Sequence, residues 1–183
     1  KVLWTREAHY GFRHNAIVAG DGMLYAIDRL PDTIVTLMLR RGRKPTGKPR
    51  LVAYEARTGK EAWSTTEGVF GTWLGYSKHH KLLLQCGRPA RDMLRDEPAD
   101  RMIVYRGNDG KIRWDKKLKY SGPCMLRGET IITQGSAVSL LNGERVTRTN
   151  PLTGLTQPWG YTRNYGCNSA GASRHLMTCP LYT

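Results

Sequence analysis

Three acidic residues stand close together in the segment "RDMLRDEP", Arg91 to Pro98. Asp92, Asp96 and Glu97 carry carboxylate oxygens, which are the ligands that calcium prefers in protein loops. Their spacing is not that of an EF-hand loop, and arginines alternate with them. Ion pairs that order the loop are therefore the favoured interpretation, and a metal site is the alternative.

A basic run follows a short apolar stretch in "PDTIVTLMLRRGRKPTGKPR", residues 31–50. Pro31 can open a helix that ends at Gly42. Two interpretations remain open: an arm that binds anions or docks a partner, and a helix packed on the rim with a solvated tail. The basic candidates are Arg40, Arg41, Arg43, Lys44, Lys48 and Arg50.

The hexapeptide "RNYGCN" groups a cation, amides, a phenol and a thiol. It provides the candidates for a ligand-facing or cofactor-binding element, with a simple turn as the alternative: Arg163, Asn164, Cys167 and Asn168. The pair His79-His80 sits in a hairpin turn, where an exposed position is expected and no third metal ligand is apparent. The four cysteines lack CxxC spacing, which favours buried free thiols over zinc or redox chemistry.

The overall charge of +14 suits anionic partners such as nucleic acid, anionic lipid or an acidic polymer, although a basic solvated surface with no dedicated partner is the favoured interpretation. No zinc-finger or RNA-recognition signature accompanies the charge. No apolar run approaches the length of a membrane-spanning segment.

These side chains must be positioned by a repeated scaffold. "KVLW", "TGKEAW", "DGKIRW" and "TGLTQPW" end at Trp4, Trp63, Trp114 and Trp159. Once an insertion is removed from the first unit, the repeat approaches the ~40–45 residues of a four-stranded propeller blade. Short apolar runs between glycine turns supply the strands.

The repeats define the expected organisation of one partial propeller of about three and a half blades, with one short helical insertion. Residues 1–6 are assigned to the last strand of a preceding blade. Three blades and a half blade follow at 12–66 with an insertion at 29–50, at 70–117 with an insertion at 88–101, at 121–162, and at 163–183. Because an incomplete ring leaves open sheet faces, the chain is expected to be part of a larger propeller.

The Thr/Asp-Gly-Lys turn must reverse the chain between the third and fourth strands, and glycine supplies the positive φ that such turns require. A tryptophan just beyond the turn can wedge between neighbouring blades, since an indole buries a large area and can still use its N–H. The residues predicted for blade docking are Trp4, Gly59, Trp63, Gly110, Trp114, Gly154 and Trp159.

The pattern "LVAYEARTGKEAW" and its echo "MIVYRGNDGKIRW" resemble the tryptophan-docking repeat of pyrroloquinoline quinone (PQQ)-type β-propellers, the quinoprotein alcohol dehydrogenase-like family. "IDRLPD", "SGPCMLRGETIITQG" and "RNYGCN" look like uncharacterised PQQ-like repeat proteins of planctomycete-type bacteria. The resemblance covers nearly the whole chain and is specific for the fold.

The resemblance implies several functions. A noncatalytic scaffold or binding module is expected first, with the remaining blades, a protein partner or an acidic polymer as its partners, in a periplasmic or otherwise exported location. The alternative is a segment of a PQQ-dependent alcohol or sugar dehydrogenase with calcium beside the cofactor. The family's adjacent-cysteine disulfide and catalytic aspartate motif have no match here, so no catalytic residue is assigned.

Overall fold

The computed structural model describes residues 1–87, 97–160, 171–173 and 176–178. This part of the chain consists mainly of short antiparallel strands grouped in successive sheets. No helix within it is long and apolar enough to cross a bilayer.

Sheet 1 is four-stranded and antiparallel, and its strands follow chain order. They are β1 (Phe12–Gly20), β2 (Met23–Asp28), β3 (Arg50–Glu55) and β4 (Glu61–Thr65). The helix α1 (Asp32–Arg40) lies within the connection between β2 and β3 and begins directly after Pro31. The predicted short helical insertion is therefore confirmed.

Sheet 2 repeats this arrangement with β5 (Trp73–Ser77), β6 (Leu82–Cys86), β7 (Arg101–Arg106) and β8 (Ile112–Lys117). Every residue of β6, "LLLQC", is buried. A continuous buried run is typical of a strand covered on both faces, which explains why the middle strands lack an alternating pattern.

Sheet 3 has three regular strands, β9 (Ser121–Arg127), β10 (Thr130–Gln134) and β11 (Ser136–Ser139). A fourth chain segment continues the sheet, because Arg145 bridges to Val138 and the Val146 N–H donates to the Ala137 carbonyl at 2.9 Å.

That fourth segment runs on into a hairpin formed by β12 (Thr147–Thr149) and β13 (Thr156–Pro158). The sequence interpretation used "LTQPWGY" as the fourth strand of this blade. In the structure, that segment instead contains the return strand of the hairpin. A short pair, β14 (Gly171–Ala172) and β15 (Met177–Thr178), follows. Residues 1–8, at the start of the described chain, form no strand.

The core lies between the sheets. Tyr25, Ile27 and Leu51 of sheet 1 pack with Leu83 and Ile103 of sheet 2. A second cluster joins sheets 2 and 3, and its fully buried members are Leu84, Cys86, Val104, Ile131 and Leu140. The neighbouring sheets therefore stack face to face through apolar side chains.

The antiparallel order gives each sheet two distinct ends. The hairpins β1–β2, β3–β4, β5–β6 and β7–β8 lie at one end, called the turn end here. The β2–β3 and β6–β7 connections and the links between sheets lie at the other, called the insertion end. The strand leading into β12 starts at the turn end, so the β12–β13 hairpin projects from the insertion end.

Candidate functional site

Tryptophan side chains join the sheets at the turn end. The Trp63 indole N–H donates to the Gly107 carbonyl at 2.9 Å, and its ring lies against Gly110. A Cβ atom on Gly110 would come within 2.6 Å of that ring. Trp63 belongs to sheet 1 and both glycines to sheet 2, so this contact fixes one sheet against the next.

Trp4 repeats the contact one sheet earlier. Its indole N–H donates to the Ala56 carbonyl at 2.9 Å, and a Cβ on Gly59 would lie 2.5 Å from its ring. In both contacts, the accepting carbonyl belongs to the residue three positions before the glycine.

Trp114 makes the third contact, but with a turn that the sequence interpretation did not select. Its N–H donates to the Leu140 carbonyl at 2.7 Å, and its ring faces Gly143. The proposed third docking turn contains Gly154, yet no described atom would lie within 4 Å of a Cβ there. Trp159 packs instead beside Met125 and Ile132 of sheet 3.

All four turns share one backbone geometry. The N–H groups of Gly59, Gly110, Gly143 and Gly154 each donate to the carbonyl four residues earlier, at 2.7–2.9 Å, and each glycine has φ between 67° and 70°. A left-handed backbone favours glycine whether or not a ring covers it. The glycine of the turn sequence therefore indicates a hairpin and not a docking contact. At three of the four turns the covering indole ring is a second reason for glycine.

A β-bulge sets the direction of the docking side chains. In sheet 1 the register shifts so that Ala53 faces Trp63, and in sheet 2 the same shift places Val104 opposite Trp114. A bulge inserts one unpaired residue and reorients the side chains beyond it. Its presence at the same place in both sheets explains why both indoles reach the next sheet.

Two tyrosines reinforce the contact between sheets 1 and 2. The Tyr25 hydroxyl donates to the same Gly107 carbonyl at 3.1 Å, and its ring stacks on Tyr76 with centroids 5.1 Å apart. Tyr76 donates to the Asp21 carboxylate at 2.8 Å. Burial raises the pKa of both tyrosines, and the bond to Asp21 adds to the rise for Tyr76.

The residues 29–50, called the insertion arm here, are tied to the sheets at both ends. At one end, the Arg29 N–H donates to the Gly11 carbonyl at 3.1 Å, and the Arg29 side chain forms an ion pair with Asp32 at the start of the helix. At the other end, Arg50 lies 3.1 Å from Glu61 and 3.6 Å from the buried Asp28.

Asp28 organises the chain beneath the arm. Its carboxylate accepts the backbone N–H groups of His9, Tyr10 and Gly11 at 2.7–3.0 Å. Burial by itself raises the pKa of Asp28, but these three donors and the charge of Arg50 outweigh it and leave the pKa below its usual value. The His9 ring in turn contacts the Thr46 carbonyl of the arm at 3.0 Å.

The middle of the arm is exposed. None of the α1 residues is buried, and Ile34, Leu37 and Leu39 expose 41%, 43% and 53% of their surface. Within the described chain, the exposed basic side chains of the arm have no ion-pair partner; they are Arg40, Arg41, Arg43, Lys44 and Lys48. Arg50, the sixth basic candidate, is instead held by its two carboxylates.

The β12–β13 hairpin carries a second exposed apolar feature at the insertion end. Leu152 and Leu155, at its tip, expose 93% and 68% of their surface. Exposed leucines on two separate projections give the insertion end of the molecule an apolar contact surface.

An open crevice of about 360 Å³ separates the arm from the β6–β7 connection. Glu97 lines it together with Asp32 and Asp100, and accepts a hydrogen bond from the Thr72 hydroxyl. Its proposed metal-binding partners Asp92 and Asp96 lie outside the described residues. Within the described chain, no three His, Cys, Asp or Glu side chains are grouped as a metal site would require.

The other candidates are placed as follows. Arg163, Asn164, Cys167 and Asn168, the cofactor-binding candidates, lie outside the described residues. His80 lies 3.1 Å from Glu129 of sheet 3, and its side chain exposes only 18% of its surface, so it is a contact between sheets and less exposed than its turn position suggests.

The described cysteines are buried free thiols. Cys86 and Cys124 belong to the same apolar cluster between sheets 2 and 3. Burial, with a further contribution from Cys124, raises the pKa of Cys86. The raised pKa keeps the thiol protonated and unreactive.

No protein-family model matches the chain, and no curated protein sequence does. Among solved structures, the crystal structure of BamB from Moraxella catarrhalis is similar to it, with a TM-score of 0.51 and 10% sequence identity. The alignment covers 97% of this chain and 49% of BamB, so the chain spans about half the length of that protein. Together with the four-stranded sheets, this similarity confirms the predicted all-β, partial β-propeller fold.

Proposed function

We propose that the chain is a noncatalytic β-propeller scaffold or binding module of a larger protein or assembly, and that it binds its partner through the insertion arm. The observation that carries this proposal is the exposed α1, followed by exposed basic residues. An apolar helix surface exposed between two anchored ends is typical of an interaction site.

The anchoring supports the proposal. The bond from the Arg29 N–H to the Gly11 carbonyl holds one end of the arm, while Arg50 and the contact between His9 and Thr46 hold the other. A segment fixed at both ends loses less conformational entropy on binding than a free loop does. The sheets therefore provide a rigid base, and the arm provides the contact.

The proposal includes further blades, in this chain or another, that complete the ring. The match to about half of BamB supports this part. Membership of the PQQ-like family and its planctomycete-type group, and a periplasmic or otherwise exported location, belong to the same proposal. So do the docking roles of Trp4, Gly59, Trp63, Gly110 and Trp114.

Binding of acidic polymers is a second candidate function, favoured by the exposed basic side chains of the arm. It predicts binding that weakens steeply with added salt, because contacts with a polyanion release counterions. A PQQ-dependent dehydrogenase segment, with calcium beside the cofactor, remains the catalytic alternative from the family resemblance.

Site-specific photo-crosslinking tests the binding-module proposal. A photoreactive amino acid replaces the exposed Thr36 of α1 in the full-length protein, within cells that naturally produce it. The matched control replaces Lys60, an exposed residue at the turn end. We expect a defined adduct, to protein or lipid, from position 36 and none from position 60. Equal adduct patterns at both positions, or no adduct at position 36, would overturn the proposed role of the arm.

A further inference from the structure

The insertion arm combines an apolar and a basic character along a single short segment. Val35 and Met38 are half-buried, while Ile34 and Leu37 lie exposed along one side of α1. The helix spans nine residues, Asp32–Arg40. A helix of this kind can lie in a membrane interface with its apolar side chains at the headgroup boundary.

The charge of the arm is strongly one-sided. Asp32 is the single acidic residue between positions 29 and 50, and its carboxylate is already paired with Arg29. Five exposed basic side chains follow Leu39 without an ion-pair partner in the described chain: Arg40, Arg41, Arg43, Lys44 and Lys48. A cluster of four to eight basic residues beside an amphipathic helix is typical of segments that bind anionic lipid headgroups.

The exposed leucines on the β12–β13 hairpin favour a membrane over a protein partner. Leu152 and Leu155 project from the same end of the molecule as α1, but from a different sheet. A lipid surface can accept separate apolar projections without a shaped pocket for each. The negative charge of lipid headgroups is also spread over the surface. It can therefore attract the basic side chains of the arm without fixing each one in a single position.

We propose that the insertion end binds an anionic lipid surface, with Ile34 and Leu37 at the headgroup boundary and the basic residues of the arm against lipid phosphates. This inference rests on the proposed function, because it names the partner of the same arm. The leucines at the hairpin tip form a second contact with that surface.

Vesicle co-sedimentation of the full-length protein tests the inference. One set of vesicles contains phosphatidylcholine alone, and the other contains phosphatidylcholine mixed with phosphatidylglycerol. We expect binding to the mixed vesicles and none to phosphatidylcholine alone. Added salt should weaken that binding, because salt screens the attraction between exposed charges.

Two charge-matched variants separate a specific arm from general basicity. The arm variant combines Arg40→Gln, Arg41→Gln, Arg43→Gln and Lys44→Gln. The control variant combines Arg57→Gln, Lys60→Gln, Lys78→Gln and Lys111→Gln, all exposed residues at the turn end. Each basic residue at an anionic surface contributes about fivefold in affinity, so the arm variant should bind roughly a hundredfold more weakly or worse. The control should lose only a few-fold.

A further variant tests the apolar contact. Ile34→Ser combined with Leu37→Ser keeps every charge and changes only exposed side chains, so folding should be unaffected, as circular dichroism would show. We expect it to lose most of the vesicle binding.

Several outcomes contradict the inference. It is wrong if the wild-type protein does not bind the mixed vesicles, if both charge variants lose the same affinity, or if the serine variant binds as well as wild type. A protein adduct from position 36 without vesicle binding would overturn the lipid partner and leave the binding module standing. Failure of both experiments would overturn both proposals.

Discussion

Trp63 covers Gly110 of the following sheet so closely that a Cβ on the glycine would lie 2.6 Å from the indole ring. Gly110 also has φ +69°, in the left-handed region. Backbone geometry and the neighbouring ring therefore demand glycine independently at this position. Gly154 adopts nearly the same φ, +67°, with no described atom near its missing Cβ. A comparison of Gly110 with Gly154 therefore separates the effect of the backbone geometry from that of the indole contact.

Gly110→Ala should destabilise the protein more than Gly154→Ala does. An alanine in the left-handed region costs about 1–2 kcal/mol at either site. At Gly110 the new methyl group also meets the Trp63 ring, which adds about 1–3 kcal/mol of overpacking. Urea denaturation of the two variants beside wild type measures the difference. Equal losses would mean that the indole contact does not constrain the glycine.

The indole N–H of Trp114 should contribute more to the free energy of unfolding than the indole N–H of Trp73 does. Trp114 donates to the Leu140 carbonyl at 2.7 Å in a buried site, whereas Trp73 packs against the same cluster through its ring. Trp114→Phe should therefore cost about 1–3 kcal/mol beyond Trp73→Phe, because a buried carbonyl loses its donor. Thermal and urea unfolding would measure both, and a smaller loss at Trp114 would contradict the assigned bond.

The strands and turns of sheets 1 and 2 could be predicted because their signals are local. Buried middle strands such as β6 are continuous apolar runs, and the turns contain glycine where positive φ is needed. Pro31 and the apolar residues after it indicated α1, which begins one residue later at Asp32.

The docking turn of sheet 3 was missed because docking is not a local property. The turn at Gly143 has the same backbone as the others, but Thr147 stands where a tryptophan would mark it. Because the repeats were aligned on tryptophan, the docking turn was assigned instead to Gly154 and Trp159. A usable signal was present, since five positions separate those residues, whereas four separate Gly110 from Trp114.

The buried polar anchors also escaped sequence reasoning. Asp28 ends the apolar run "MLYAID", and Gln85 lies within "LLLQC"; both are fully buried. A single polar residue inside a buried strand signals a hydrogen-bond role. The backbone N–H groups that donate to Asp28 and to Gln85 belong to loops 14–19 residues earlier in the chain. Their identity therefore required the structure.

Asp28→Asn should destabilise the protein at neutral pH by about 2 kcal/mol or more, because an amide nitrogen would face backbone N–H donors in a buried site. The pKa of Asp28 is lowered in the folded state. Its contribution is therefore fully present above the unfolded pKa, about 4, and is lost as the pH falls through the lowered folded value. The gap in unfolding free energy between wild type and variant should be constant above about pH 5 and shrink below about pH 4.

Asp109→Asn is the matched control for that substitution. Asp109 accepts the Lys111 N–H in its turn, and Asn142 accepts the Glu144 N–H in the corresponding turn of sheet 3. An asparagine therefore keeps this bond and loses only the exposed ion pair with Arg106, so the change should stay within about 1 kcal/mol. Unfolding measured from neutral to acidic pH for both variants tests the assignment. A pH-independent gap for Asp28→Asn would contradict the role of its charge.

Gln85→Leu should be among the more damaging single substitutions in sheet 2. The Gln85 amide oxygen accepts the N–H groups of Phe70 and Gly71, both at 2.9 Å. Its nitrogen donates to the Tyr105 hydroxyl at 2.8 Å and to the Gly68 carbonyl at 3.0 Å. Leucine nearly preserves the volume, and the Tyr105 hydroxyl still donates to the Glu67 carbonyl, but the Phe70 and Gly71 N–H groups and the Gly68 carbonyl lose this partner. Each buried unsatisfied group costs about 1–3 kcal/mol, so the total loss should exceed 2 kcal/mol.

Thr133→Val provides the comparison, because Thr133 occupies the same place in β10 as Gln85 does in β6, the fourth position of the strand. Among the described residues, its hydroxyl bonds to Ser136 of the β10–β11 hairpin, at 2.7 and 3.0 Å. Its loss should therefore stay near 1 kcal/mol. Hydrogen exchange at the Phe70 and Gly71 amides gives a local readout: exchange should accelerate in Gln85→Leu and not in Thr133→Val. Unchanged exchange at both amides would show that Gln85 does not hold the link between sheets 1 and 2.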